Sequence, residues 1–272
     1  MSRSVKDFRA KNSKIPVALT IAGSDNSGGA GIQADLKTFT TLGVFGASAI
    51  TCIVAEHPAC VRSITPVPPR RVVEQAQLVF EAFPVAAMKT GMLYSRDIMQ
   101  ALEKMLRGMK KRPPLVVDPV MVASSGAPLF RADAMRTLRE KIIPLAALVT
   151  PNRDEAALLW GEPIASLPAL RAAAYALSRH YGVPFLVKGG HLKLREAVDV
   201  LADGKKMSEF RAPFQKGVNP HGTGCTYSAA ITASLAKGRS LHQAVIDGKS
   251  FITRAIRTHL RYGPHQLLNH LP

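Results

Sequence analysis

The chain has 272 residues, 47% hydrophobic and 20% charged, enough for one substantial core and a better match to one α/β domain than to two. No apolar run approaches the roughly 18 residues of a membrane-spanning helix, which speaks against a membrane protein. The formal charge of +17 is spread along the chain, with a single Trp; without basic–aromatic interleaving this implies attraction of anionic small ligands, nucleotides included, and not specific nucleic-acid binding.

Taken in order, the chain begins with MSRSVKDFRAKNSK, polar and basic with no apolar signal core. The expectation is a basic arm over residues 1–15, then one domain over 16–272. IPVALTIAG (15–23) reads as a buried strand and GIQADLKTFTTLG (31–43) as a helix closed by Gly43. ASAITCIVA (47–55) reads as one strand, 70–83 as a helix, and VAAMKTGML (85–93) as a strand entering a loop. Residues 96–109 have helical spacing, LVVDPVM (115–121) is a strand ending on an acid, and 131–143 is a helix. ALVTPN (147–152) is a short strand, 169–182 a helix ending at Gly182, and PFLVKGG (184–190) a strand. Residues 197–210 suggest a hairpin turning at Asp203–Gly204, with 199–217 a candidate flap over the site. Helices over about 224–237 and 241–260 follow, and GPHQLLNHLP is either a docking tail or disorder.

Alternating strands and helices predict an α/β fold: a central, mainly parallel sheet with helices on both faces. Such sheets bind ligands beyond the carboxyl ends of their strands. Asp25, Glu56, Lys89–Met92, Asp118, Asn152, Glu155 and Lys188 all fall there. The cysteines, Cys52, Cys60 and Cys225, are sparse and lack CxxC spacing, which fits neither a disulfide framework nor structural zinc and points to the cytoplasm.

HGTGCTYSAA (221–230) carries the densest signal. Gly222 and Gly224 precede an apolar helix, so the peptide N–H groups of 222–225 form an anion site by geometry and dipole; the alternative is an ordinary turn with Cys225 a small buried residue. There is no GxxxxGK[ST] and no GxGxxG. GSDNSGGAG (23–31) is a glycine-rich loop that lets backbone approach a ligand. Asp118, Asn152 and Glu155 are candidates to hold a hydrated Mg²⁺, while Asn152 and Glu155 also have capping-box spacing. Lys188 is placed to meet a phosphate, or else is a solvated lysine.

Together, AGSDNSGGAGIQADLKTF, KTGML, DPVM, TPNRDEA, VKGGH and HGTGCT resemble the hydroxymethylpyrimidine/phosphomethylpyrimidine kinases of thiamin biosynthesis, within the ribokinase-like fold, in order from about residue 16 to 260. The resemblance implies ATP and Mg²⁺ as cofactors, a pyrimidine alcohol and its monophosphate as acceptors, and a homodimer. It implies Cys225 as the base, with Gly222, Thr223 and Gly224 around the transferring phosphoryl. Asp118 and Glu155 would serve the metal, Lys188, Asn152 and Thr223 the ATP, and Gly23, Asp35, Glu56 and Met92 the pyrimidine. A thiol at a helix N-terminus is expected to have a lowered pKa.

One position departs from the family pattern: Glu56 stands where Gln is usual. A carboxylate accepts from a ring amino group but opposes the neighbouring ring nitrogen, unless that nitrogen or Glu56 is protonated. His57 is a candidate to tune the acid. The alternatives are a pyridoxal/pyridoxine kinase on the same scaffold or a non-catalytic ligand-binding relative.

Overall fold

The computed structural model describes residues 14–57, 60–121, 132–190, 192, 195–215, 217–218 and 221–272; most of the expected basic arm, His191 and the Asn219–Pro220 pair lie outside them. Strand β1 (Val17–Ala22) is followed by helix α1 (Gly31–Thr41), strands β2 (Phe45–Ile50), β3 (Cys52–His57) and β4 (Cys60–Pro66), helix α2 (Pro69–Ala82), β5 (Val85–Thr90) and α3 (Arg96–Arg107). Then come β6 (Leu115–Val117), α4 (Ala132–Thr137), β7 (Leu148–Val149), α5 (Arg153–Trp160), α6 (Leu167–Tyr181), β8 (Phe185–Lys188) and the hairpin β9 (Glu196–Asp203) and β10 (Lys206–Pro213). Helices α7 (Thr223–Ala236) and α8 (Leu241–Arg257) precede a small hairpin, β11 (Leu260–Tyr262) and β12 (His265–Leu267).

Eight strands form one sheet in the order β10-β9-β8-β7-β6-β5-β1-β2. The pairs from β2 to β8 are parallel, and β9 and β10 are antiparallel. Side chains alternate across it, as a pleated strand requires. In β6, Leu115 and Val117 join the larger core cluster, while Val116 faces Tyr227 and Ile231 of α7 and Val245 of α8. Each fully buried aliphatic side chain of this kind contributes roughly 1.5–3 kcal/mol. Among the described residues, no helix is long and apolar enough to cross a membrane.

Two readings change, and the one left open at the C-terminus is decided. The run 47–55 is two strands: at Thr51 the chain leaves the main sheet, and β3 pairs antiparallel with β4 in a separate two-stranded sheet. Thr51 is the pivot, its N–H bonding Ala22 O at 3.0 Å and its hydroxyl Met92 O at 2.6 Å. The hairpin β9–β10 continues the main sheet at its far edge instead of lying over the site, because β9 finds a partner in β8. The C-terminal segment is docked, with Leu268 and His270 buried.

Candidate active site

The two glycine-rich segments meet. Gly222 caps α7 at φ 84, and a Cβ there would lie 1.8 Å from the Gly29 carbonyl oxygen, so only glycine fits both the backbone and the contact. The turn thus brings residues 222–225 against the loop after β1. Among the described residues, the peptide N–H groups of Gly222, Thr223, Gly224 and Cys225 donate to nothing, whereas Thr226 N–H returns to Gly222 O at 3.0 Å. They are the orphan donors of a helix start, aimed at the site.

Behind Gly224 stand Lys188 and Asp118. A Cβ on Gly224 would lie 3.3 Å from Lys188 Nζ and 3.6 Å from Asp118 Oδ2. Asp118 accepts from Ser228 Oγ at 3.0 Å and faces Lys188 Nζ at 3.4 Å. Burial works to lower the Lys188 ammonium, but Asp118 and Glu155 hold it above its ordinary value, so it remains a cation. It is not a solvated lysine.

Asn152 caps α5: its Oδ1 accepts from Asp154 N and Glu155 N at 2.9 Å, and Glu155 Oε2 accepts from Asn152 N at 2.8 Å, completing a capping box. Glu155 Oε1 accepts from Met121 N at 3.2 Å, tying the loop after β6 to α5. Burial raises the Glu155 carboxyl, Lys188 opposes that, and Asp118 adds to it. Two enclosed carboxyl groups with Lys188 as the cation facing both form a hard-oxygen donor set. With most of those oxygens already bonded to the protein, it fits a Mg²⁺ that keeps most of its waters.

Cys225 is the third residue of α7. Burial pushes its thiol up to about 12, against the pull of Lys89 and a hydrogen bond from Gly31 N–H. This corrects the expectation of a lowered pKa: helix-end stabilisation is outweighed by enclosure and by the carboxylates of Asp35 and Asp118.

Gly23 allows close approach on the other side of the site; a Cβ there would sit 2.7 Å from Cys52 Sγ and 2.9 Å from Met92 Cε. Asp35 is fully buried, accepting from Thr20 Oγ1 at 2.6 Å and Lys89 Nζ at 2.8 Å. Sequence places Lys89 at a strand end but gives it no partner, and it does not mark Thr20 at all, although a threonine inside an apolar strand is a visible signal.

Glu56, on β3, reaches the turn before α7. His221 Nε2 lies 3.3 Å from Asp25 Oδ2 and 3.9 Å from Glu56 Oε2. Burial alone would raise Asp25, but His221, Ser27 and the Ala30 N–H hold it well below the usual carboxylate range. Burial and the Asp25 charge push Glu56 up to about 7, with His221 pulling it down. The hydrogen bond to Asp25 raises the His221 imidazole. His57 does not face this acid; its ring packs edge-on against His265 at 4.9 Å.

The family model for phosphomethylpyrimidine kinase matches residues 25–269. The chain is 48% identical to the hydroxymethylpyrimidine/phosphomethylpyrimidine kinase of Rhizobium meliloti over 88% of its length and 90% of that protein's. It is 44% identical to the thiamine biosynthesis bifunctional protein ThiED of Geobacter sulfurreducens over 93% of its own length, and spans about half (52%) of that relative. Among solved structures it superposes on the Bacillus subtilis pyridoxal kinase in an ADP complex with a TM-score of 0.86 and 37% identity, covering 94% of this chain and 97% of that one.

Proposed function

The chain belongs to the phosphomethylpyrimidine kinase family, and from that premise we propose that it transfers the γ-phosphoryl of ATP to the hydroxymethyl group of an aminopyrimidine, and then to the resulting monophosphate, in thiamin biosynthesis. The observation that carries the proposal is the cluster at the start of α7. Four N–H groups without a partner among the described residues, with Cys225, Lys188 and Asp118, converge where the loop after β1 and the turn before α7 touch.

In this reading the peptide groups of Gly222–Cys225, with Thr223 at the first helical position, stabilise charge on the transferring phosphoryl. Lys188 sits against the phosphates, and Asn152 sets the end of α5 beside it. Asp118 and Glu155 would hold Mg²⁺ through its waters, and the ion would supply charge neutralisation across the phosphates. Gly23, Met92 and Glu56 line the ring. Asp35 contributes from beneath, fixing Lys89, whose charge favours the Cys225 thiolate. A loose transition state leaves the alcohol proton in place until late, so a minor thiolate form of Cys225, favoured by Lys89, is enough to accept it.

Cytoplasmic location and a homodimer are part of the proposal. The three free thiols support the first. The exposed apolar Phe45, Phe83 and Ile53 around the β2 edge support the second.

ATP turnover with Mg²⁺ against hydroxymethylpyrimidine, its monophosphate, pyridoxal and pyridoxine tests the reading. Turnover on both pyrimidines is expected. The likeness to a pyridoxal kinase makes a pyridine vitamer the second reading; turnover on pyridoxal or pyridoxine alone would establish it.

A further inference from the structure

The first turn of α7 is poorly held from within. Its cap, Gly222, makes no side-chain hydrogen bond, and a second glycine follows two residues on. Glycine leaves the most backbone freedom to be lost on ordering, yet this turn has to place Cys225 and four peptide groups to within a fraction of an ångström. It needs ties from outside.

The carboxy-terminal segment provides them. Leu267 of β12 forms a parallel bridge with His221, and its side chain comes within 3.7 Å of where a Cβ on Gly29 would be. Gln266 Nε2 donates to Gly217 O at 2.9 Å, just upstream of the turn. Next to Cys225, the buried Thr226 hydroxyl is 3.0 Å from His270 Nε2. His270 is anchored in turn, its carbonyl accepting from Thr41 Oγ1 at 2.7 Å. The segment is held down by Leu268 in the α7–α8 core and by Asn269 N donating to Ala255 O at 3.3 Å. It therefore clamps the joint of both glycine-rich segments and the residue adjoining Cys225.

We infer that Leu267–His270 is a positioning strap for the catalytic turn, with His270 acting through Thr226 to set where Cys225 and its neighbouring peptide groups stand. Burial and the nearby Lys37 charge lower the imidazole to about 4. It is neutral at working pH, so the Thr226 Oγ1–His270 Nε2 contact joins two uncharged groups. The contact is a fixed hydrogen bond, not a titrating one, and its loss should leave the shape of the pH profile unchanged.

The inference rests on the kinase reading for one of its two measurements. The full chain is compared with Thr226→Val, His270→Ala, His270→Gln, the Thr226→Val/His270→Ala double variant, and Leu271→Ala, a tail residue 80% exposed. For each, kcat and KM with ATP, Mg²⁺ and hydroxymethylpyrimidine are measured, with the melting temperature and the rate of iodoacetamide attack on Cys225, read by peptide mass spectrometry. Because small misplacements at a reacting centre cost up to about 100-fold, Thr226→Val and His270→Ala should each lower kcat by about tenfold or more at nearly constant pyrimidine KM. Both should also change the Cys225 alkylation rate by about threefold or more, the same misplacement being read at the thiol itself. The double variant should be no worse than either single, His270→Gln, whose amide oxygen can accept from Thr226, should recover most of the loss, and Leu271→Ala should match the parent. Unchanged kcat and alkylation in folded variants, or losses that multiply in the double, would overturn the strap. Thr226→Val keeps the side-chain shape, so it decides the matter should His270→Ala fail to fold. If the parent turns over no acceptor, the kinase reading fails while alkylation still decides the strap.

Discussion

Lys89 Nζ lies 2.8 Å from Asp35 Oδ1, and neither side chain reaches solvent. Burial acts to lower the Lys89 ammonium, but Asp35, with Asp118 further off, more than offsets it and keeps it charged. The pair sits on β5 and α1, beneath the site. Removing one partner leaves a buried charge uncompensated, so Asp35→Asn and Lys89→Met should each destabilise the fold by about 3–5 kcal/mol, and the double variant by less than their sum. Urea unfolding measures this; losses below about 1 kcal/mol would mean water reaches the pair. In the folded fraction, Lys89→Met should also slow Cys225 alkylation, since the cation that favours the thiolate is gone.

The Cys225 thiol, pushed up to about 12, makes a second prediction. Below its pKa the thiolate fraction rises tenfold per pH unit, so alkylation of Cys225 should climb steadily from pH 7 to 10. A plateau near pH 8 would show that the helix terminus dominates after all. Cys225→Ala should cut kcat by about 100- to 10,000-fold, the usual contribution of proton transfer, with little change in melting temperature; a purely packing cysteine would show the reverse.

Glu56 titrates at about 7 beside Asp25 and His221, with Cys52 the other ionisable group it perturbs. Protonated, its carboxyl presents a donor and an acceptor on one edge, as a Gln amide does. The pyrimidine KM should therefore be lowest below pH 7 and rise toward tenfold per unit above it, while Glu56→Gln should flatten that limb. The stability sign agrees. The folded protein holds the Glu56 proton to higher pH than the unfolded chain, so this group's contribution falls as pH rises from about 4.5 to 7. If Glu56→Gln leaves the KM profile unchanged, the acid does not read the ring.

What was legible in the sequence follows from how local each signal is. Periodicity marks β1, α1, α2 and α3 because each buries one face at a fixed spacing. The capping box at Asn152 and Glu155 spans four residues and was equally visible. The break at Thr51 was not, because ASAITCIVA carries no glycine or proline; only tertiary partners, Ala22 O and Met92 O, turn the chain there. The same limit applies to the site. Its members could be placed at strand ends, but His57 looked like the neighbour of Glu56 while His221, far along the chain, is the one that faces it. Nor can a helix-terminal motif reveal that its half-buried cysteine stands near Asp35 and Asp118.

Gly222 tests the meeting of the two glycine-rich segments most directly. Gly222→Ala would put a Cβ 1.8 Å from Gly29 O in a left-handed backbone at φ 84. The left-handed backbone alone costs an alanine about 1–2 kcal/mol, and the contact with backbone oxygen cannot be relieved by rotating a side chain. The turn must move, so stability should fall by about 2 kcal/mol or more and turnover should be lost. Gly224→Ala is the graded comparison: its Cβ meets the end of Lys188 at 3.3 Å and Asp118 Oδ2 at 3.6 Å, and a lysine terminus can shift. Its melting temperature should stay near the parent's while kcat falls, because what moves is the cation set against the phosphates. Equal melting temperatures and equal turnover for both variants would mean that the turn before α7 does not bear on the loop after β1 in the working protein.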